Sequence, residues 1–134
     1  MVVTWLEEEG TPEARPIKCF AAIEAALLAT AADFLRDYGI TARVRGALHF
    51  GPVVVGEVGG QKRDIVFHGD VMNTTSRIEQ MARELNRTLL VSGDAWRRLS
   101  AANQWAVEDL GAHQLRGRVN PVQVYALKPE PIVR

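Results

Sequence analysis

The sequence has little cysteine: Cys19 is the only one among 134 residues. A single thiol cannot form a disulfide within the chain or a zinc site built from several thiolates, so Cys19 is interpreted as a buried, unreactive side chain. No apolar run approaches the roughly 20 residues that a membrane-spanning helix needs, and the N-terminus lacks the layout of a signal peptide. These absences predict a cytoplasmic chain without a membrane segment.

An excess of charge of either sign is also absent. The chain has 16 basic and 16 acidic residues, which give a formal net charge of +0. No overall field therefore favours nucleic acid or an anionic membrane as a partner, and any binding of phosphate must be local. With 47% hydrophobic and 24% charged residues, the composition is that of one folded domain with a core of its own.

Residues 51–79 carry the most informative pattern. The run GPVVVGEVGG, followed by IVFHGDVMNTTSRIE, predicts a strand, a Gly-Gly turn, a second strand and a helix that starts at Gly69–Asp70. At about 100° per residue, this helix has an apolar and a polar side. The apolar side consists of Val71, Thr75, Ile78, Ala82 and Leu85, and the polar side of Asn73, Arg77, Gln80 and Glu84.

The polar side presents an amide and a guanidinium near the start of this helix. Asn73 and Arg77 are four residues apart, so their side chains lie one above the other, with Ser76 beside them. The unpaired N–H groups at a helix start favour negative charge. The pattern therefore favours a polyphosphate nucleotide as the ligand. The turn at 59–62 lacks the spacing of a phosphate loop and is interpreted as a plain turn.

The rest of the chain alternates helices and strands. His49, on one of these strands, is interpreted as a hydrogen-bonded structural residue without a catalytic role. Ser92 or Asp94 is expected to cap a small helix that runs through Leu99. The other expected elements are a strand at Val2–Trp5, a polar loop at 6–15, a core-packing helix at 16–38 that Gly39 ends, and strands at 43–50, 88–92, 106–115 and 122–127.

The two runs within residues 51–79 resemble the signature of class III adenylate and guanylate cyclases, which reads roughly G-x-V-V-x-G-x-x-G, then an aromatic strand and G-D-x-V-N-x-A-x-R-x-E. The strand at 43–50 is similar to the family's R-x-G-x-H-x-G strand, and residues 89–92 to its I-L-V-S strand. Leu115-Arg116-Gly117-Arg118 matches a K-G-like turn. On spacing alone, a solvated turn without a phosphate contact explains this pattern equally well. The resemblance favours contact with phosphate.

The resemblance implies a fold of the α+β class. It is the ferredoxin-like class III cyclase fold, with an antiparallel sheet covered by helices on one face. Residues 1–128 would form part of a catalytic domain that lacks its first strand and helices, and residues 129–134 a tail that leaves the fold. Such a domain is expected to leave sheet edges and apolar surface open.

The resemblance also implies a reaction, the conversion of ATP to 3′,5′-cyclic AMP and pyrophosphate for signalling. The complete protein would be a dimer, either a homodimer or a heterodimer with another cyclase domain. Asn73 would orient the ribose and Arg77 would stabilise the transition-state phosphate. Arg116, together with Arg118, would hold the terminal phosphates, since arginine matches phosphate oxygens. Ser76 is expected to belong to the same nucleotide site.

Two parts of the family's site have no obvious counterpart in this sequence. The family binds Mg²⁺ or Mn²⁺ through two aspartates that precede the strand resembled by residues 1–5, so no metal ligand is assigned here, and Glu7–Glu9 are interpreted as a solvated loop. Val66 takes the base-reading position but cannot hydrogen-bond, and Asp64 falls on another motif position. ATP is expected over GTP because the cysteine usual in guanylate cyclases is absent there.

Two other classes of function stay open. The chain could be a catalytically inactive cyclase-like module that binds a nucleotide or a partner. It could also be a plain ferredoxin-like binding domain whose similarity arose by chance, although the fixed letters span a strand, a turn and a helix together.

Overall fold

The computed structural model describes residues 1–52, 54–58, 64–68, 70–99 and 105–131. The expected turn at 59–62 and Gly69 lie outside these ranges. The helices are α1 (Glu7–Gly10), α2 (Arg15–Ala29), α3 (Ala31–Tyr38), α4 (Asp70–Glu84) and α5 (Gly93–Arg98), with a short 3-10 turn at Pro12–Ala14. The strands are β1 (Gly46–Leu48), β2 (Val54–Val58), β3 (Asp64–His68), β4 (Leu89–Ser92), β5 (Trp105–His113) and β6 (Val122–Pro131).

Four strands form one sheet in the order β1-β4-β6-β5, and β2 and β3 form a separate antiparallel hairpin. The α+β class is therefore confirmed. The pairs β4–β6 and β5–β6 are antiparallel as expected, but the sheet is mixed because β1 and β4 are parallel. Between them the chain passes through the hairpin and α4. A helical crossover of this kind returns the chain in the same direction and produces a parallel pair.

Helices cover both faces of the sheet. Leu89 and Val91 of β4 pack with Ile17 of α2, whereas Leu90, between them in sequence, packs with Ile78 of α4. The expectation of helices on one face was therefore wrong. The physical reason is that β4 is buried at all four positions, and a strand without polar alternation must be covered on both sides.

The N-terminal segment differs from its expected structure. Val2–Trp5 forms no strand, and the expected polar loop at 6–15 contains α1 and the 3-10 turn. β-branched residues favour an extended backbone, but a strand also needs a neighbour, and no described strand pairs with these residues. Val2 is 69% exposed, so this apolar segment faces solvent.

The expected helix at 16–38 is divided at Thr30. Its backbone leaves the helical region, with φ −106° and ψ 6°, and its hydroxyl donates a hydrogen bond to the carbonyl of Ala26 at 3.1 Å. A β-branched residue that bonds back to the preceding turn weakens a helix at that point. Gly39 ends α3 in the left-handed region at φ +68°, as expected.

The two helices at 15–38 pack only in part. Ile17 is the one described residue of α2 that is buried, and none of α3 is. Cys19 was expected to be buried but is half-exposed, because two helical positions after Ile17 it lies on the opposite side of α2. None of the helices in the described ranges is long and apolar enough to cross a membrane.

The C-terminal strand extends further than expected. β6 continues to Pro131, which pairs with Trp105, so Pro129–Pro131 do not leave the fold. The strand β4 pairs with β6 only as far as Leu127. Beyond that residue no described strand pairs with this side of β6, and a proline without an N–H group is tolerated at such a position.

Candidate active site

Helix α4 provides the predicted polar side. Asn73 and Ser76 are exposed and Arg77 is half-buried, whereas Ile78 and Thr74 are buried. The buried face differs slightly from the expected one, since Thr74 is covered in place of Thr75 and Leu85 is 40% exposed. The amide and the guanidinium thus lie on the side of α4 that is turned away from the sheet.

The turn after β5 lies against this side of α4. Nη2 of Arg77 is 3.7 Å from the point where a Cβ on Gly117 would lie. Gly117 has φ +86°, in the left-handed region that favours glycine. Leu115, two residues earlier, is buried in the same apolar cluster as Ile78. The fold therefore brings Arg77 and the Arg116-Gly117-Arg118 turn together from distant parts of the sequence.

The two arginines of this turn have different surroundings. Arg116 is exposed. The side chain of Arg118 is 25% exposed, and its Nη1 lies 3.3 Å from Oδ2 of Asp70 and 3.2 Å from the hydroxyl of Thr74. Sequence reasoning did not identify this contact, and no local pattern signals it, because the partners are 48 and 44 residues apart.

A cleft of about 330 Å³ lies beside the Asp70–Arg118 pair. Nδ1 of His49, on the cleft wall, is 2.8 Å from the hydroxyl of Ser92, which also accepts a hydrogen bond from the N–H of Ala95 at 3.2 Å. The hydrogen bond and the helix cap expected from the sequence are thus both present. Burial lowers the pKa of His49; nearby Arg118 adds to this, whereas Asp94 and Asp70 oppose it.

The described part of the structure does not place Val66 or Asp64 in this arrangement. Val66 lies on β3 and pairs with Gly56, and its side chain is outside the described part of the structure, as is that of Asp64. In the described ranges no group of three or more His, Cys, Asp and Glu residues could hold a metal ion. The donor set described here therefore does not fit a resident magnesium or manganese ion.

Comparison with known proteins identifies the family of this chain. The adenylate and guanylate cyclase catalytic domain family matches residues 1–129. The chain therefore belongs to this family. It is 39% identical over 126 residues to adenylate cyclase 2 of Rhizobium meliloti (strain 1021), a match that covers 94% of this chain and 35% of that protein.

More distant relatives share shorter stretches or only the fold. The photoactivated adenylate cyclase subunit beta of Euglena longa is 37% identical over 81 residues, which cover 60% of this chain and 9% of that protein. The structure of a bacterial light-regulated adenylyl cyclase matches 64% of this chain and 24% of its own, with 28% identity and a TM-score of 0.51. The adenylyl cyclase CyaB from P. aeruginosa shares the fold over 94% of this chain and 62% of its own, with 19% identity and a TM-score of 0.66.

Proposed function

We propose that this chain contributes the asparagine and arginine side of an adenylate cyclase active site, at which ATP is converted to 3′,5′-cyclic AMP and pyrophosphate. The observation that carries the proposal is the proximity of Arg77 to the turn that contains Arg116. This proximity places the backbone of the turn beside the guanidinium of Arg77, on the helix that also carries the exposed amide of Asn73, and Arg116 is itself exposed. The resemblance to adenylate cyclases over most of the chain supports the same conclusion.

The residues have separate tasks in this reaction. The ribose 3′-oxygen bonds to the α-phosphorus, the bond from that phosphorus to the bridging oxygen of pyrophosphate breaks, and the hydroxyl proton passes to solvent. Asn73 orients the ribose, and Arg77 offsets the charge that grows on the α-phosphate. Arg116 holds the terminal phosphates, Ser76 belongs to the same nucleotide site, and Val66 takes the base-reading position. Arg118 adds positive charge to the same region.

The carboxylate side of the site comes from another cyclase domain in the dimer. The family is metal-dependent, but the described residues of this chain do not fit a metal, so no step of the reaction is assigned to a metal held here. The partner would be a cyclase domain that brings the carboxylates that bind Mg²⁺ or Mn²⁺, because the described residues of a second copy of this chain would offer no such cluster either. ATP as substrate and a cytoplasmic location are predictions of the same kind.

A second function is a module that binds a nucleotide or a partner without turnover. A separate observation favours this function: the described residues include no metal-binding cluster. A complementation assay separates the two functions. The chain is measured alone and after mixing with a cyclase domain that keeps both of its aspartates but whose counterparts of Asn73 and Arg77 are replaced by alanine.

We expect cyclic AMP from the mixture with Mg²⁺ or Mn²⁺ and none from either protein alone. Activity of this chain alone would contradict the shared site. A mixture that contains folded heterodimer but forms no cyclic AMP would favour the inactive module. Formation of the heterodimer is checked by analytical ultracentrifugation before the activity is measured.

A further inference from the structure

We propose that Arg118 is a positioning residue that holds the turn at 116–118 against α4 through Asp70 and Thr74, and so fixes Arg116 beside Arg77. This inference deepens the proposed function and rests on it for its catalytic consequence. It differs from a direct role of Arg118 in holding phosphate, because the guanidinium already has partners within the chain.

The acceptors of Arg118 form a prepared site on the first turns of α4. Asp70 and Thr74 are four residues apart and therefore lie on one side of the helix. Thr74 is 1% exposed. Its hydroxyl donates a hydrogen bond to Oδ2 of Asp70 at 3.3 Å. The hydroxyl oxygen is then available to accept the hydrogen bond from Nη1 of Arg118. One Nη1 atom thus contacts a carboxylate and a buried hydroxyl whose orientation is already set.

The turn is fixed at further points besides Arg118. The N–H of Arg118 donates to the carbonyl of Leu115 at 3.1 Å, and the side-chain amide of Gln114 donates to the carbonyl of Arg118. Leu115 is 6% exposed and packs in the cluster that contains Ile78. The turn is therefore held to α4 by the contacts of Arg118 with Asp70 and Thr74, before Arg77, and it shares an apolar cluster with Ile78, after Arg77. Arg77 lies between these two anchors.

The contact of Arg118 with Asp70 and Thr74, here called the clamp, also affects how a nucleotide can bind, because Asp70 is charged. Asp70 begins α4, one turn before Asn73, and its carboxylate would repel a triphosphate that approaches Asn73 and Arg77. Arg118 offsets this charge and leaves the exposed Arg116 to contact phosphate. A single unpaired carboxylate at this position would also attract Arg77 away from its place beside Gly117.

Hydrogen exchange tests the clamp without any need for activity. In the purified chain, Arg118→Met and Asp70→Asn should raise the exchange rate of the Arg118 amide by roughly threefold to tenfold, since this pair is partly exposed. Arg118→Lys should restore part of the protection. Arg116→Met is the matched control, because it removes the same charge two residues earlier in the turn and should leave the rate unchanged. Equal rates in Arg118→Met and wild type would overturn the inference.

The complementation assay tests the catalytic consequence. Arg118→Met should lower kcat by roughly 10- to 100-fold, because Arg116 and Arg77 lose their alignment. Asp70→Asn combined with Arg118→Met should be no worse than Arg118→Met alone, since both changes break one contact. A rise in KM with unchanged kcat for Arg118→Met, together with a lower KM for Asp70→Asn, would overturn the inference in favour of direct phosphate binding.

Failure of the proposed function has a different outcome. If the wild-type mixture forms no cyclic AMP but Arg118→Met and Asp70→Asn both raise the exchange rate, the clamp is supported and the cyclase activity is refuted. If the mixture is active and neither variant changes the exchange rate, the clamp is refuted and the activity stands.

Discussion

The guanidinium of Arg77 lies 3.7 Å from the point that a Cβ on Gly117 would occupy, so an arginine of the signature helix lies beside a glycine of the turn between β5 and β6. This distance is an ordinary van der Waals separation. A side chain at 117 would fit in space, but the backbone at φ +86° disfavours it. A substitution at 117 therefore has two separable effects, backbone strain and a new van der Waals contact with Arg77.

Gly117→Ala should lower both stability and activity. We expect a loss of about 1–2 kcal/mol in the free energy of unfolding, from the left-handed backbone, and a fall in kcat because the methyl group restricts Arg77. Gly111→Ala is the matched control, since Gly111 has φ +80° and open space around its Cβ position. It should lose similar stability but keep its activity in the complementation assay. Equal activity losses in the two variants would show that strain alone is responsible.

Arg77→Ala should nearly abolish turnover. An interaction made mainly in the transition state is lost from kcat, by roughly 100- to 1,000-fold, while the affinity for nucleotide changes little. Arg83→Ala is the control on the same helix, because Arg83 is exposed and pairs with Glu79 at 2.9 Å. It should keep its activity. A near wild-type kcat for Arg77→Ala in the complementation assay would end the assignment of this helix to a cyclase site.

Asn73→Ala should also lower kcat, but by less than Arg77→Ala does. The amide orients the ribose but carries no charge, so its loss costs alignment without removing stabilisation of the phosphate. Gln80→Ala, which removes an exposed amide further along α4, should be close to wild type. If Asn73→Ala raises KM and leaves kcat unchanged, the residue serves simple nucleotide binding.

Part of this arrangement was predictable from local sequence. The period of three to four residues in α4 and the Gly-Asp at its start are local signals, and the structure confirms the helix and its polar side. The contact between Arg118 and Asp70 was not predictable, because its partners meet only when β6 and α4 pack on the same sheet. The strand expected at Val2–Trp5 failed for a related reason, since strand propensity is local but strand pairing is not.

The nucleotide preference should be ATP over GTP, with modest discrimination. Val66 takes the base-reading position, and a valine side chain cannot donate or accept a hydrogen bond with either base. Discrimination then depends on shape, which distinguishes similar ligands less strongly than hydrogen bonds do. A competition experiment in the complementation assay, with both nucleotides present, measures the ratio of kcat/KM values. A strong preference for GTP would contradict the adenylate cyclase assignment.

The stability of the chain should fall as pH falls below about 6.5, the ordinary pKa of histidine, through the titration of His49. Burial lowers the pKa of His49 in the folded state, so between that lowered value and 6.5 the unfolded chain binds more protons than the folded chain. Stability is therefore present above the unfolded pKa and is lost toward lower pH. The slope from one such group cannot exceed about 1.4 kcal/mol per pH unit.

His49→Gln provides the comparison for this pH dependence, because glutamine can donate or accept a hydrogen bond with the Ser92 hydroxyl but does not titrate. Urea unfolding of both proteins at pH 7.5, 6.5 and 5.5 gives the difference in their free energies of unfolding. Charged groups that act on His49, namely Asp94, Arg118 and Asp70, are common to both proteins, as are the other two histidines. The difference should shift in favour of His49→Gln as the pH falls, because the burial of His49 opposes its protonation. Parallel stability curves would show that His49 is as easily protonated in the folded chain as in the unfolded one.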